Sequence, residues 1–120
     1  MGLLWCNVSF AEWKKFMENE TGSTMYFDPD TVKKYKGHIY VWTLTDYLTP
    51  GSSGIYSNKI HMQMDCAQKK VKMITYVFYK DQMAKGEEDH TSEGSDKWDS
   101  FAPNSVGEEF LNYICKLKNF

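Results

Sequence analysis

The 120-residue sequence contains no arginine: all 14 basic residues are lysines, set against 16 acidic residues for a net charge of -2. A nucleic-acid partner calls for a basic face, usually with guanidinium forks for phosphates and base edges, so that class is excluded. Long apolar runs are missing as well. None approaches the roughly 20 residues that cross a bilayer as a helix, so no transmembrane segment is expected. Cysteine is scarce, with Cys6, Cys66 and Cys115 too few and too scattered for a zinc ribbon or a Cys-x-x-Cys redox centre. No internal repeat and no low-complexity tract is visible.

Aromatic residues are abundant: 4 Trp, 8 Tyr and 7 Phe make up 16% of the chain, which argues against disorder and suits half-buried sheet surfaces. The length leaves room for one domain with one core. Residues 1–10 are expected to lie outside that domain, as an expression artefact, the remnant of a removed leader or a frayed terminus. Met1-Gly2-Leu3-Leu4-Trp5-Cys6 lacks the basic start and the length of an intact signal, and Cys6 breaks the acylation pattern that Gly2 begins. Residues 11–120 then form the single domain.

Within it, residues 12–27 read as a hairpin, with aromatic flanks around the polar turn Glu20-Thr21-Gly22-Ser23. Asp28-Pro29-Asp30 is a turn signal. Residues 38–48 are dense in β-branched and aromatic side chains on both faces and predict a central strand. After the Pro50-Gly51-Ser52-Ser53-Gly54 loop, residues 56–66 alternate cleanly. Ile60, Met62, Met64 and Cys66 lie on one face, Lys59, His61, Gln63 and Asp65 on the other. Strict alternation over 70–80 would set Val71, Met73, Thr75 and Val77 against Lys72, Ile74, Tyr76 and Phe78. The short link 67–69 predicts an antiparallel hairpin between these two strands. Residues 85–97 are acidic and polar and read as a solvated, mobile loop. The last segment is the one convincing helix. Ser105 caps it, Glu108 stands three residues on, and Val106, Phe110, Leu111, Ile114 and Cys115 form an apolar stripe. The pattern is α+β: one antiparallel sheet of about five to six strands packed on a single C-terminal helix.

An odd cysteine count leaves one bridge plus a free thiol, or three free thiols. Placement favours a bridge, because Cys66 ends a strand on the face such a helix must cover and Cys115 lies on that helix's apolar stripe. Two buried, unpaired thiols are the alternative.

Several short motifs follow one another in order. They are Tyr26-Phe27-Asp28, then Val41-Trp42-Thr43-Leu44-Thr45-Asp46-Tyr47 and Tyr56-Ser57-Asn58-Lys59, followed by Met64-Asp65-Cys66 and Lys69-Lys70. Met83-Ala84-Lys85-Gly86, the stretch 98–105 with Pro103 and Ser105, and Ile114-Cys115 complete the series. In this order they resemble the bacterial surface-adhesin protein E family, over nearly the whole chain. The resemblance implies a small exported domain with an antiparallel sheet, a packed C-terminal helix and a Cys66–Cys115 disulfide. It also implies an oxidising location, the periplasm or the outer cell surface of a bacterium. The sequence departs from the family pattern at Lys69 and Lys70, where arginine is common, and at Asn104, where glycine is expected after the proline.

No catalytic constellation stands out. There is no Gly-x-Ser-x-Gly elbow, and Ser57 and Ser105 have no histidine near them in sequence. His38, His61 and His90 show no metal-ligand spacing. A small enzyme or metal protein using His61 and Asp65 is therefore a minor alternative, and neither cofactor nor metal is expected. Lys69, Lys70 and Lys72 form a basic cluster that either protects a strand edge or meets an anionic ligand. Because one helix covers one sheet face, Tyr26, Tyr40, Trp42 and Tyr76 are candidates for an outward interaction surface together with those lysines. The expected function is non-catalytic binding of a host-matrix or envelope protein. A homodimeric structural module of the periplasm is the alternative.

Overall fold

A computed structural model describes residues 12–117. The segment 1–10, with Cys6, lies outside the described residues. Seven strands form one antiparallel sheet: β1 (Lys14–Glu18), β2 (Thr24–Phe27), β3 (Lys33–Tyr35), β4 (His38–Asp46), β5 (Ser57–Asp65), β6 (Lys70–Tyr79) and β7 (Glu88–Glu93). Their order is β1-β2-β4-β5-β6-β7, and β3 shares the β2 edge of β4. That sharing has a local cause. Asp28 accepts from the Asp30 N–H at 3.0 Å and starts a tight turn, after which Thr31 Oγ1 accepts from the Trp42 N–H at 3.0 Å. The turn thus satisfies the backbone of β4 in the gap between β2 and β3. The expected hairpin turn is also present: Asn19 Oδ1 accepts from the backbone N–H groups of Thr21 and Ser23.

The helix α1 (Val106–Lys116) begins as expected, with Ser105 Oγ accepting from the Glu108 N–H at 3.1 Å. Glu108 Oε1 accepts from the N–H of Asn104 at 2.9 Å, one residue earlier than the usual reciprocal cap. Asn104 has φ of +62°, a left-handed conformation that Asn tolerates next best to Gly, so asparagine in place of the glycine that the resemblance led one to expect costs little. One face of the sheet meets α1. Phe27, Ile39, Val41, Met62, Met64 and Val71 pack under Phe110, Leu111 and Ile114. The Phe110 ring lies 5.1 Å from Phe16 and 5.5 Å from Phe27. Cys66 and Cys115 are bridged, 49 residues apart in sequence with Cα atoms 5.8 Å apart, so the helix is fastened to the end of β5.

Two expectations need correction. Residues 88–93 are not a loop but a six-residue edge strand, paired with β6 and exposed along its whole length. Its polar sequence carries no burial signal, and the β6 ladder holds it. Nor does β6 alternate throughout. Its register with β5 shifts between His61 and Met62, leaving Ile74 as a bulge. Val71 and Met73 therefore share the helix side with Tyr76 and Phe78, while Lys72, Thr75, Val77 and Tyr79 share the other.

Candidate binding surface

The helix-free face is built from cross-strand rows. Tyr40, Gln63 and Lys72 form one row, Trp42, His61 and Thr75 the next, and Leu44, Lys59 and Val77 the third. At the far end this face is closed by its own chain. Met83 N–H donates to Asp46 Oδ1 at 2.6 Å, Ser57 Oγ donates to Asp81 O at 2.6 Å, and Ala84 N–H donates to Ser57 Oγ at 2.9 Å. Met83 and Ala84 both have positive φ, 61° and 54°, a strain of roughly 1–2 kcal/mol each for non-glycine residues. The Asp46 and Ser57 hydrogen bonds hold them there. Leu44, Ser57, Val77 and Tyr79 are buried at this end, on the side of the sheet away from α1. On the other side of the sheet at this end, Asn58 donates to the Tyr47 hydroxyl at 2.6 Å, and burial raises the Tyr47 pKa. Much of the ordered motif series therefore converges on a structural clasp.

Above the clasp runs a ribbon of rings and cations. Trp42 and His61 stack at 4.7 Å with planes 4° apart, and Tyr40 lies 6.0 Å from the same histidine. Lys59 Nζ stands 5.5 Å from the Trp42 ring and 5.4 Å from Tyr79. Towards the disulfide end Tyr35 approaches Tyr40, and Trp98 meets His38 at 5.0 Å. Lys72 Nζ lies 4.7 Å over Trp98. The Trp98 placement follows from Asp99, whose backbone pairs with Val71 in both directions at 2.8 Å. Cations over half-buried rings keep an aromatic surface wet and specific rather than merely sticky.

The residues singled out from sequence are only partly brought together. Tyr40, Trp42 and Lys72 share the ribbon, and Lys70 stands beside Asp65 on the same side. Tyr26 is on this side too, opposite Leu44 and thus towards the clasp. Lys69 sits in the turn after β5 with φ of +55°. Tyr76 is on the helix side because of the Ile74 bulge, in a separate stack with Phe78 and His90. Sequence reasoning missed Tyr35, Trp98, His38 and Gln63 as members of the surface. The alternation of His61 with Lys59 and Gln63 was the available signal for the central part.

His61 and Asp65 do not meet. Four residues apart on one strand, they are separated by roughly 13 Å at 3.3 Å per residue, and Asp65 Oδ2 lies 3.8 Å from His38 Nε2 instead. Among the described residues no group of three or more His, Cys, Asp or Glu is placed to hold a metal ion.

Burial lowers the His61 pKa from its ordinary 6.5. The unfolded chain then takes up this proton more readily than the folded one, so stability is full above pH 6.5 and falls as pH drops below it. A urea-denaturation series from pH 7.5 to 5 is expected to show this loss and to show it reduced in His61→Gln. An identical pH slope in both proteins would contradict a half-buried imidazole that resists protonation.

Residues 13–116 match the family model described as Surface-adhesin protein E. Solved structures of Haemophilus influenzae protein E share the fold. Crystal form II superposes with a TM-score of 0.67 at 13% identity, covering 96% of this chain and 95% of that one. The selenomethionine form gives 0.61 at 14%, covering 96% and 94%. Protein E from the non-typeable bacterium gives 0.62 at 12%, covering 96% and 82%. No curated protein matches the sequence.

Proposed function

Because the chain belongs to the surface-adhesin protein E family, we propose that it is an exported, non-catalytic recognition domain of a bacterial envelope. Residues 11–120 act as one unit, and the helix-free sheet face binds a host-matrix or envelope protein. The observation that carries this reading is the ribbon of Tyr40, Trp42, His61 and Trp98 with Lys59 and Lys72 above the rings. Trp and Tyr anchors near the centre of a patch are the side chains that dominate protein interfaces, and the lysines around them supply the polar, solvent-accessible rim. The Cys66–Cys115 bridge suits an oxidising compartment outside the cytoplasm. No helix among the described residues is long and apolar enough to cross a membrane.

Trp42→Ala is expected to weaken binding to solubilised extracellular matrix or to the envelope fraction at least tenfold, in the range of an interface anchor. Biolayer interferometry on the immobilised protein reads the change. Equal binding by Trp42→Ala and the unaltered protein would remove the helix-free face as the site.

A second reading makes the same face a homodimer contact. Tyr35 favours it, since the ring is 59% exposed at the edge of the ribbon. Sedimentation velocity at micromolar concentration separates the two, because a strict monomer rules out the dimer.

A further inference from the structure

Beside the ribbon, on the same face, lies a cleft of about 520 Å³ between Tyr40 on β4 and the segment 93–96 that continues β7. Three strand spacings separate these walls, roughly 14 Å. Gln63, Lys72 and Thr75 line the cleft between them.

The outer wall is fixed by the bulge. Gly94 N–H donates to Ile74 O at 2.8 Å and Ser95 N–H to Met73 O at 3.1 Å. A Cβ at Gly94 would collide with the Met73 carbonyl, so only glycine lets the chain approach β6 this closely. On the sheet, Gln63 Nε2 lies 2.9 Å from His38 Nδ1, which sets the orientation of the amide. The cleft is thus held by backbone ladders and one locked amide before any ligand arrives.

Its chemistry is selective. Glu93 and Asp96 have no ion-pair partner among the described residues, and the one lining cation, Lys72, is occupied over Trp98. Two carboxylates repel an anionic ligand, and Ile74 alone offers an aliphatic contact, so an apolar ligand gains little. What remains well matched is a ligand with many neutral O–H donors and a flat C–H face. The donors suit Glu93, Asp96, Gln63 and Thr75, and the flat face suits the Tyr40 ring. We infer that this cleft is a recognition site for a neutral saccharide, a short run of uncharged pyranose rings. The inference rests on the reading that the helix-free face is the binding face, and it assigns that face a ligand class.

The test is a heteronuclear NMR titration of the full chain with maltotriose and triacetylchitotriose as neutral probes. A heparin tetrasaccharide and trilysine serve as the anionic and cationic ones. Saturable shifts are expected at Tyr40, Gln63, Thr75 and residues 93–96 with at least one neutral probe. The Glu93→Gln/Asp96→Asn double variant, altered only at exposed positions, is expected to bind about tenfold more weakly, as charged hydrogen-bond acceptors are lost. Tyr40→Ala provides a second variant, with circular dichroism to confirm its fold. No saturable shift with either neutral probe, a response confined to heparin or trilysine, or affinity unchanged in both variants would overturn the inference. If it fails while Trp42→Ala still loses matrix or envelope binding, only the saccharide is removed. If Trp42→Ala also binds normally, the reading of the whole face falls with it.

Discussion

Loss of the Cys66–Cys115 bridge is expected to cost roughly 4 kcal/mol, the chain-entropy value for closing a loop of about 50 residues. The bridge joins the end of β5 to the penultimate residue of α1, so reduction frees the helix at one end while its N-terminal half stays packed. For a domain of this size the melting temperature is expected to fall by roughly 15 °C. Thermal melts with and without reductant, repeated on a Cys66→Ala/Cys115→Ala double variant, read the effect. The variant and the reduced protein should coincide. Melting that is indifferent to reductant would mean the bridge does not constrain the unfolded chain.

Phe110→Ala is the other large effect, about 3–5 kcal/mol for emptying a fully buried aromatic site. Phe110 has no exposed surface and touches Phe16 of β1 and Phe27 of β2 edge-on or tilted. Its loss leaves Tyr113, 5.4 Å from Phe16 and 5.8 Å from Phe27, as the aromatic contact of α1 with the outer strands, while the bridge holds the C-terminal end of the helix. Both devices fasten one helix to one sheet, so the two changes are expected to be less than additive when combined. Urea denaturation of the single and combined variants measures this. A cost below about 1 kcal/mol for Phe110→Ala would show that the helix contributes little to the core.

Where burial writes the pattern, the sequence was readable. The alternation of Ile60, Met62 and Met64 with Lys59, His61 and Gln63 gave β5 its faces, and the stripe Phe110, Leu111 and Ile114 gave the helix its inner side. Placement favoured pairing Cys66 with Cys115, since one ends a strand on the face the helix covers and the other lies on the helix's apolar stripe, and the family resemblance implied the bridge that is present. Where backbone hydrogen bonding decides, the sequence was silent. Ile74 bulges without any sequence mark of its own, and everything after it changes side, Tyr76 included. Glu88–Glu93 is a strand because β6 offers it a ladder, with no buried side chain to announce it. The same limit applied to the surface. Tyr40 and Trp42 were legible from one strand's composition, whereas Trp98 arrives through a two-residue backbone bridge to Val71. The clasp of Asp46, Ser57, Met83 and Ala84 was present as motif residues, but contacts across 27 and 37 positions gave them their structural role.

On the proposed function the helix-free ribbon, and not the separate Tyr76–Phe78–His90 stack on the helix side, is the recognition surface. Its most direct test is parallel interferometry of Trp42→Ala and Phe78→Ala against solubilised extracellular matrix and envelope fraction. A loss of at least tenfold is expected for Trp42→Ala and an unchanged signal for Phe78→Ala. Loss in Phe78→Ala with full binding by Trp42→Ala would contradict it.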